Sequence, residues 1–263
     1  VDSDFRNTDN FMIYNVFGQQ FTIQNISTSG LTADITISEA FKPGTYFIKV
    51  SGLHDLAGNL MDEQTIIFNY IAYASAERYD ILINELMADP TPVVALPESE
   101  YIELWNSSDK SLLLSQYKIV KGVTFYNLPK RPFAPDEYLI VVPSGDIAKW
   151  NDYSNVIGLS PFPTLNNDGA TLSLVDSAGN LIHAVTYDLS SYKDNAKKDG
   201  GWSLEHTLKD GICDGNDVWK ASTDGSGGTP GRINTNTVIG PNQVFLTGME
   251  LLDDRNLQVC FSK

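Results

Sequence analysis

The chain has 263 residues, 42% of them hydrophobic. That is enough apolar material for real cores and a soft prior for two domains. A formal net charge of −15 repels phosphate backbones and argues against nucleic-acid binding. The nearest basic clusters, Lys130-Arg131 and Lys197-Lys198, are bare pairs that read as solvated faces. No apolar run approaches the ~18 residues of a membrane span.

Taken in order, "FTIQNIS", "LTADITIS" and "GTYFIKVSGL" alternate apolar and polar residues, as half-buried strands do. The turn clusters "KPGT" and "LAGN" lie among them, with Gly and Asn to accept positive φ. "ILINELM", "EYIELWN" and "YLIVVPS" continue the period of two and predict half-buried strands. "SGDIAKWND" predicts one or two helical turns with Ser144 as N-cap. "TLSLVDSAGNLIHAVTY" predicts a hairpin about a short Gly-Asn turn. The chain reads as all-β, two β-sandwiches.

A strand ends at "TIIFNY" and another begins at "ILINEL", with "YIAYASAERYD" between them. The run "GSGGTPGRINTNTVIGPN" has no apolar period and marks a second boundary. The expected divisions are residues 1–76, 77–236 and 237–263.

Two resemblances add to this reading. "FKPGTYFIKVSGLHDLAGNLMDEQTIIFNY" resembles the end of a bacterial Ig-like surface-protein domain, its turn being Asp55-Leu56-Ala57-Gly58-Asn59. "ILINELMADPTP", "EYIELWNSSD", "GGWSLEH" and "VWKASTDGSGGTPGRIN" resemble, in that order and over residues 80–234, the lamin tail domain of bacterial secreted proteins. The resemblance implies two Ig-like sandwiches and no activity of their own. The ends extend it. "NLQVCFSK" looks like the first strand of an Ig-like domain, and "VDSDFRNTDNFMIYN" like the stretch after such a strand. Residues 243–262 are therefore expected to pair with the sandwich of residues 1–72, within one chain or as a strand-swapped dimer.

Glu85 and Glu103 suggest a paired-carboxylate site, and Glu205 invites the same idea. The competing and favoured reading is structural, carboxylates that bond backbone N–H groups at a sandwich end. Asp210, Asp214 and Asp217 in "DGICDGND" are a candidate calcium loop, although the spacing is not that of an EF-hand. The three histidines and two cysteines, Cys213 and Cys260, lack zinc spacing, and the thiols read as unpaired. No nucleophile elbow or phosphate-binding loop occurs. Trp202 and Trp219 read as core anchors, while Trp105 and Trp150 could be either anchors or exposed platforms for sugars.

The sequence therefore points to a non-catalytic region of a larger secreted or cell-surface bacterial protein, acting in spacing, display or binding of a protein or glycan. The alternatives are a calcium- or glycan-binding module and an accessory region of a secreted hydrolase. No cofactor other than calcium is expected, and no nucleic-acid partner.

Overall fold

The period-two segments form strands in the computed structural model, which describes residues 3–55, 57–207, 218–236, 246–251, 255 and 257–261. The chain divides into two units, Val1–Ala72 and Tyr73–Lys263.

In the first unit β1 (Phe11–Asn15), β2 (Gln20–Phe21), β3 (Ile23–Ser29), β4 (Thr32–Ile37), β5 (Gly44–Val50) and β6 (Gln64–Tyr70) succeed one another. Four of them form an antiparallel sheet in the order β2-β1-β5-β6, and β3 pairs with β4 as a separate hairpin. The core is narrow. Phe41 meets Tyr46 edge-on at 4.7 Å between ring centres and Phe68 at 5.5 Å. Ile13, Ile26, Tyr46 and Leu53 are the buried hydrophobic side chains among the described residues of this unit. On β6, which lies at the sheet edge, Ile66 and Ile67 are 60% and 62% exposed. Neighbouring strand residues point to opposite faces, so this edge is open on both.

In the second unit the strands are β7 (Ile81–Met87), β8 (Tyr101–Asn106), β9 (Leu112–Leu113), β10 (Tyr117–Lys121), β11 (Thr124–Asn127), β12 (Pro132–Phe133), β13 (Tyr138–Pro143), β14 (Val156–Leu159), β15 (Gly169–Asp176), β16 (Leu181–Asp188), β17 (Leu204–His206) and β18 (Trp219–Ala221). One sheet runs β14-β13-β8-β7-β17-β18 and the other β11-β10-β15-β16. Apolar residues from both sheets, among them Ile83, Ile102, Leu104, Val141, Ile119, Leu172, Leu174 and Val185, make one buried core. The unit is a β-sandwich.

The predicted hairpin is present as β15 and β16, joined at Asp176–Asn180. Asp176 accepts hydrogen bonds there from Ala178 N (2.9 Å), Asn180 N (2.8 Å) and Asn180 Nδ2 (2.8 Å). The first unit repeats the device. Asp55 accepts from Ala57 N (2.9 Å), Asn59 N (2.8 Å) and Asn59 Nδ2 (2.8 Å). Each turn also needs its glycine, Gly58 at φ +83° and Gly179 at φ +91°, values most side chains avoid.

Two expectations are corrected. Ser144 does not cap the turns at Ser144–Trp150. Pro143 takes the cap position of a 3-10 segment, and no side chain caps it. Nor are β7 and β8 half-buried, since every residue in both is buried. Loops cover their second face.

Leu246–Leu251 (β19) and Leu257–Phe261 (β20) form an antiparallel hairpin. Among the described residues these strands pair only with each other. The expected ladder to residues 1–72 is not among the pairings.

Candidate carboxylate site

On "ILINELM" and "EYIELWN", one set of alternate residues faces the inner core. The other set would ordinarily face water. A bulge decides what happens to it. Ile83 stands opposite Leu104 and Glu85 opposite Glu103, so two residues of β7 span one of β8. The extra residue, Asn84, is turned by the bulge toward a neighbouring loop. Its Nδ2 donates to Glu103 Oε1 at 2.7 Å and to Asn234 Oδ1 at 3.0 Å. On the other side of β7, Glu205 of β17 stands opposite Glu85. Glu103, Glu85 and Glu205 thus form a row across three neighbouring strands. All three are fully buried.

What buries them is the segment 228–236, "GTPGRINTN", where Gly228, Thr229, Pro230 and Asn234 form the packed side. Glu85 Oε1 accepts from Tyr101 Oη (2.8 Å), Ser203 Oγ (2.5 Å) and Thr229 N (2.7 Å). Glu103 Oε2 accepts from Gly231 N at 2.5 Å. Glu205 Oε2 accepts from Thr235 Oγ1 (2.8 Å), Asn236 N (2.9 Å) and Asn236 Nδ2 (3.0 Å). Asn234 Nδ2 donates to the carbonyls of Asn84 (3.0 Å) and His206 (2.9 Å). The segment has no room to spare. A Cβ on Gly228 would lie 2.6 Å from Tyr101 Oη and 2.7 Å from Glu85 Oε1.

No lysine or arginine pairs with these carboxylates among the described residues. Arg232 binds Asp224 instead, at 2.6 Å. Burial pushes Glu85 up to about 7. It pushes Glu103 well above the usual carboxylate range, with repulsion from Glu85 adding to it. The hydrogen bonds agree. Thr229 Oγ1 lies 2.9 Å from Glu205 Oε1 and 3.3 Å from Glu85 Oε2, but a hydroxyl has one proton to donate. Both contacts are satisfied when Glu85 is protonated on Oε2 and donates to Thr229.

This is acid chemistry without access. A general acid must reach the substrate atom it protonates, and each of these groups lies beneath 228–236 with its oxygens hydrogen-bonded within the protein. The structural reading of Glu85, Glu103 and Glu205 is the one the geometry carries.

Residues 74–188 match the family model of the Lamin Tail Domain. That match holds β7 to β16 of the Ig-like sandwich. The stretches "GGWSLEH" and "VWKASTDGSGGTPGRIN" lie beyond it, yet they supply β17, β18 and the segment that closes over the glutamates. No curated protein and no solved structure matches the chain.

The other candidate residues have different places. Asp210, Asp214, Asp217 and Cys213 lie outside the described residues. No three His, Cys, Asp or Glu side chains are grouped to hold a metal ion among the described residues. His183 is fully buried and its Nδ1 accepts from Ile83 N at 2.8 Å, tying one sheet to the other beside the bulge. Trp105, Trp150 and Trp219 are buried. Trp202 is half-buried under the Lys197 ammonium, 4.0 Å above its ring. None of the four is an open platform.

Sequence reasoning misses Asn84, Tyr101, Ser203, Thr229, Asn234 and Asn236 as partners. The available signal is the density of hydrogen-bonding residues in "GTPGRINTN", which has the composition of a linker and reads as a boundary, and whose first seven residues enter the lamin tail resemblance without pointing to the carboxylates.

Proposed function

We propose that the chain is a non-catalytic structural and binding region of a larger secreted or cell-surface bacterial protein. The lamin tail sandwich would act as a rigid spacer or display module. The observation that carries this is the use made of the acidic row. The carboxylates with the most perturbed ionisation hold the chain's own segment 228–236, and none opens on a cleft. Removing any one would strand several buried donors, which costs about 1–3 kcal/mol per unsatisfied group. The excess of negative charge supports the absence of a nucleic-acid partner. No described helix is long and apolar enough to cross a membrane.

The test is turnover on a panel of glycans and phosphoesters, with thermal unfolding of Glu85→Gln and Glu103→Gln alongside. No turnover by the unmodified chain is expected, with a lowered Tm in Glu103→Gln, whose amide NH2 would oppose the Asn84 or Gly231 N–H, and little change in Glu85→Gln, which mimics the protonated acid. Turnover that Glu85→Gln abolishes in a protein of unchanged Tm would overturn the reading.

A further inference from the structure

The first unit carries a cleft of about 530 Å³ between the β1–β2 turn and the loop entering β5. Ligand pockets commonly run from about 300 to 1,000 Å³. Both walls are held by hydrogen bonds. On one side Asn15 Oδ1 accepts from Phe17 N and Gln19 N, each at 3.0 Å, and Asn15 Nδ2 donates to Gln19 Oε1 at 3.1 Å. The turn so fixed holds out Phe17, which is 90% exposed. On the other side Tyr46 Oη donates to Lys42 O at 2.6 Å and accepts from Lys42 N at 3.0 Å. Phe21 and the buried Tyr46, edge to face at 5.4 Å, form the floor.

Polar groups stand around these rings. Glu39 Oε2 accepts from Thr22 N at 3.1 Å and Oε1 from Thr22 Oγ1 at 3.3 Å, which leaves further lone pairs on both oxygens. Gln19 Nε2 and the Lys42 ammonium meet no protein acceptor among the described residues. The cleft therefore offers an aromatic face, an amide, a carboxylate and an ammonium together.

We propose that this cleft binds a carbohydrate, with Phe17 stacking on the apolar face of a pyranose ring. Gln19, Glu39 and Lys42 take the ring's hydroxyl groups. A wholly apolar ligand would strip water from Glu39 and Lys42 without replacing it. A phosphorylated ligand would meet Glu39 and the acidic chain. A cation would meet the Lys42 ammonium. Of these classes, a sugar is the one that answers both the rings and the mixed polar groups. The proposal assigns a ligand class to the binding role and rests on that role.

The test is NMR titration of the full chain, labelled with ¹⁵N, against cellotetraose, chitotetraose, mannotetraose and a tetragalacturonate. Reducing ends are measured in the same samples. Shifts confined to residues 15–21 and 39–46 are expected with at least one of them. Phe17→Ala should weaken that binding about tenfold, one aromatic contact being worth up to ~1.5 kcal/mol. It should leave the Tm unchanged, because the side chain is exposed. Gln19→Ala should weaken binding as well, and Val123→Ala in the other unit should not. No shift with any of the four sugars, or affinity unchanged by Phe17→Ala, would overturn the proposal. New reducing ends would instead overturn the non-catalytic reading and leave the cleft's assignment standing.

Discussion

"YIELWN" and "TIIFNY" look alike as sequence, two short runs rich in β-branched and aromatic residues. In the structure Ile102 of the first is fully buried, while Ile67 of the second is 62% exposed. β8 lies inside a six-stranded sheet, with a second sheet on one face and loops on the other. β6 is the edge of a four-stranded sheet. An apolar strand provides the material for burial, but the number of layers around it decides how much of that material leaves water. The second unit has three layers over its central strands. The first unit leaves its edge open and keeps a cleft.

The largest effects should come from substituting matched residues in the two units. Ile102→Ala should cost about 2–5 kcal/mol, the range for truncating a buried aliphatic side chain. Ile67→Ala should stay within about 0.5 kcal/mol, as exposed substitutions do. Urea unfolding can read the units apart, because all four tryptophans lie in the second. Tryptophan fluorescence tracks that unit, and the amide resonances of residues 11–50 track the other. Equal losses would break the comparison.

A smaller effect should appear with pH. Glu85 holds its proton more tightly in the fold, with a pKa of about 7 against an ordinary 4.5. The native state therefore binds more protons than the unfolded chain between these values. The stabilisation is fully present below about 4.5, falls as pH rises toward 7, and is lost above it. At ~1.4 kcal/mol per pKa unit the loss is at most about 3 kcal/mol, and Glu103 acts in the same sense. Asp224, held well below the usual range by Ser226 and Arg232, opposes this only in stronger acid. The urea midpoint seen by tryptophan fluorescence should fall from pH 5 to pH 8. In Glu85→Gln that slope should flatten. A midpoint that rises over the range would contradict the protonated row.

The smallest effect should be shared by the two units. Asp55→Ala and Asp176→Ala each remove three hydrogen bonds from an exposed turn. Both should lower the Tm of their own unit slightly and by similar amounts. A large loss at either would show that its turn supports more than its own strands.

Much of the scaffold is legible in the residues. Period-two alternation locates most of the strands of the first unit and β7, β8, β13, β15 and β16 of the second, and it misses β10, β11 and β14. Asp-x-Ala-Gly-Asn marks two turns, because a carboxylate two and four residues before its donors and a glycine at positive φ are local needs. Likeness to the lamin tail domain places the second sandwich. The acidic row is legible in part. The residues Glu85, Glu103 and Glu205 stand out, and a structural role is the favoured reading, but nothing local tells that they meet.

The sequence by itself determined what each short segment could be, since alternation, turn chemistry and charge act within a few residues. Tertiary structure alone decided what each polar face would meet. The bulge at Asn84 set Glu85 opposite Glu103, and pairing of β17 with β7 brought Glu205 from more than a hundred residues away. Segment 228–236 then turned an outward-looking polar face into an inner layer. Its composition is that of a loop in water, and only the donors it presents to three carboxylates make it part of the core. The same physics left Phe17 in the open, because among the described residues of the first unit no further layer covers the β1–β2 turn.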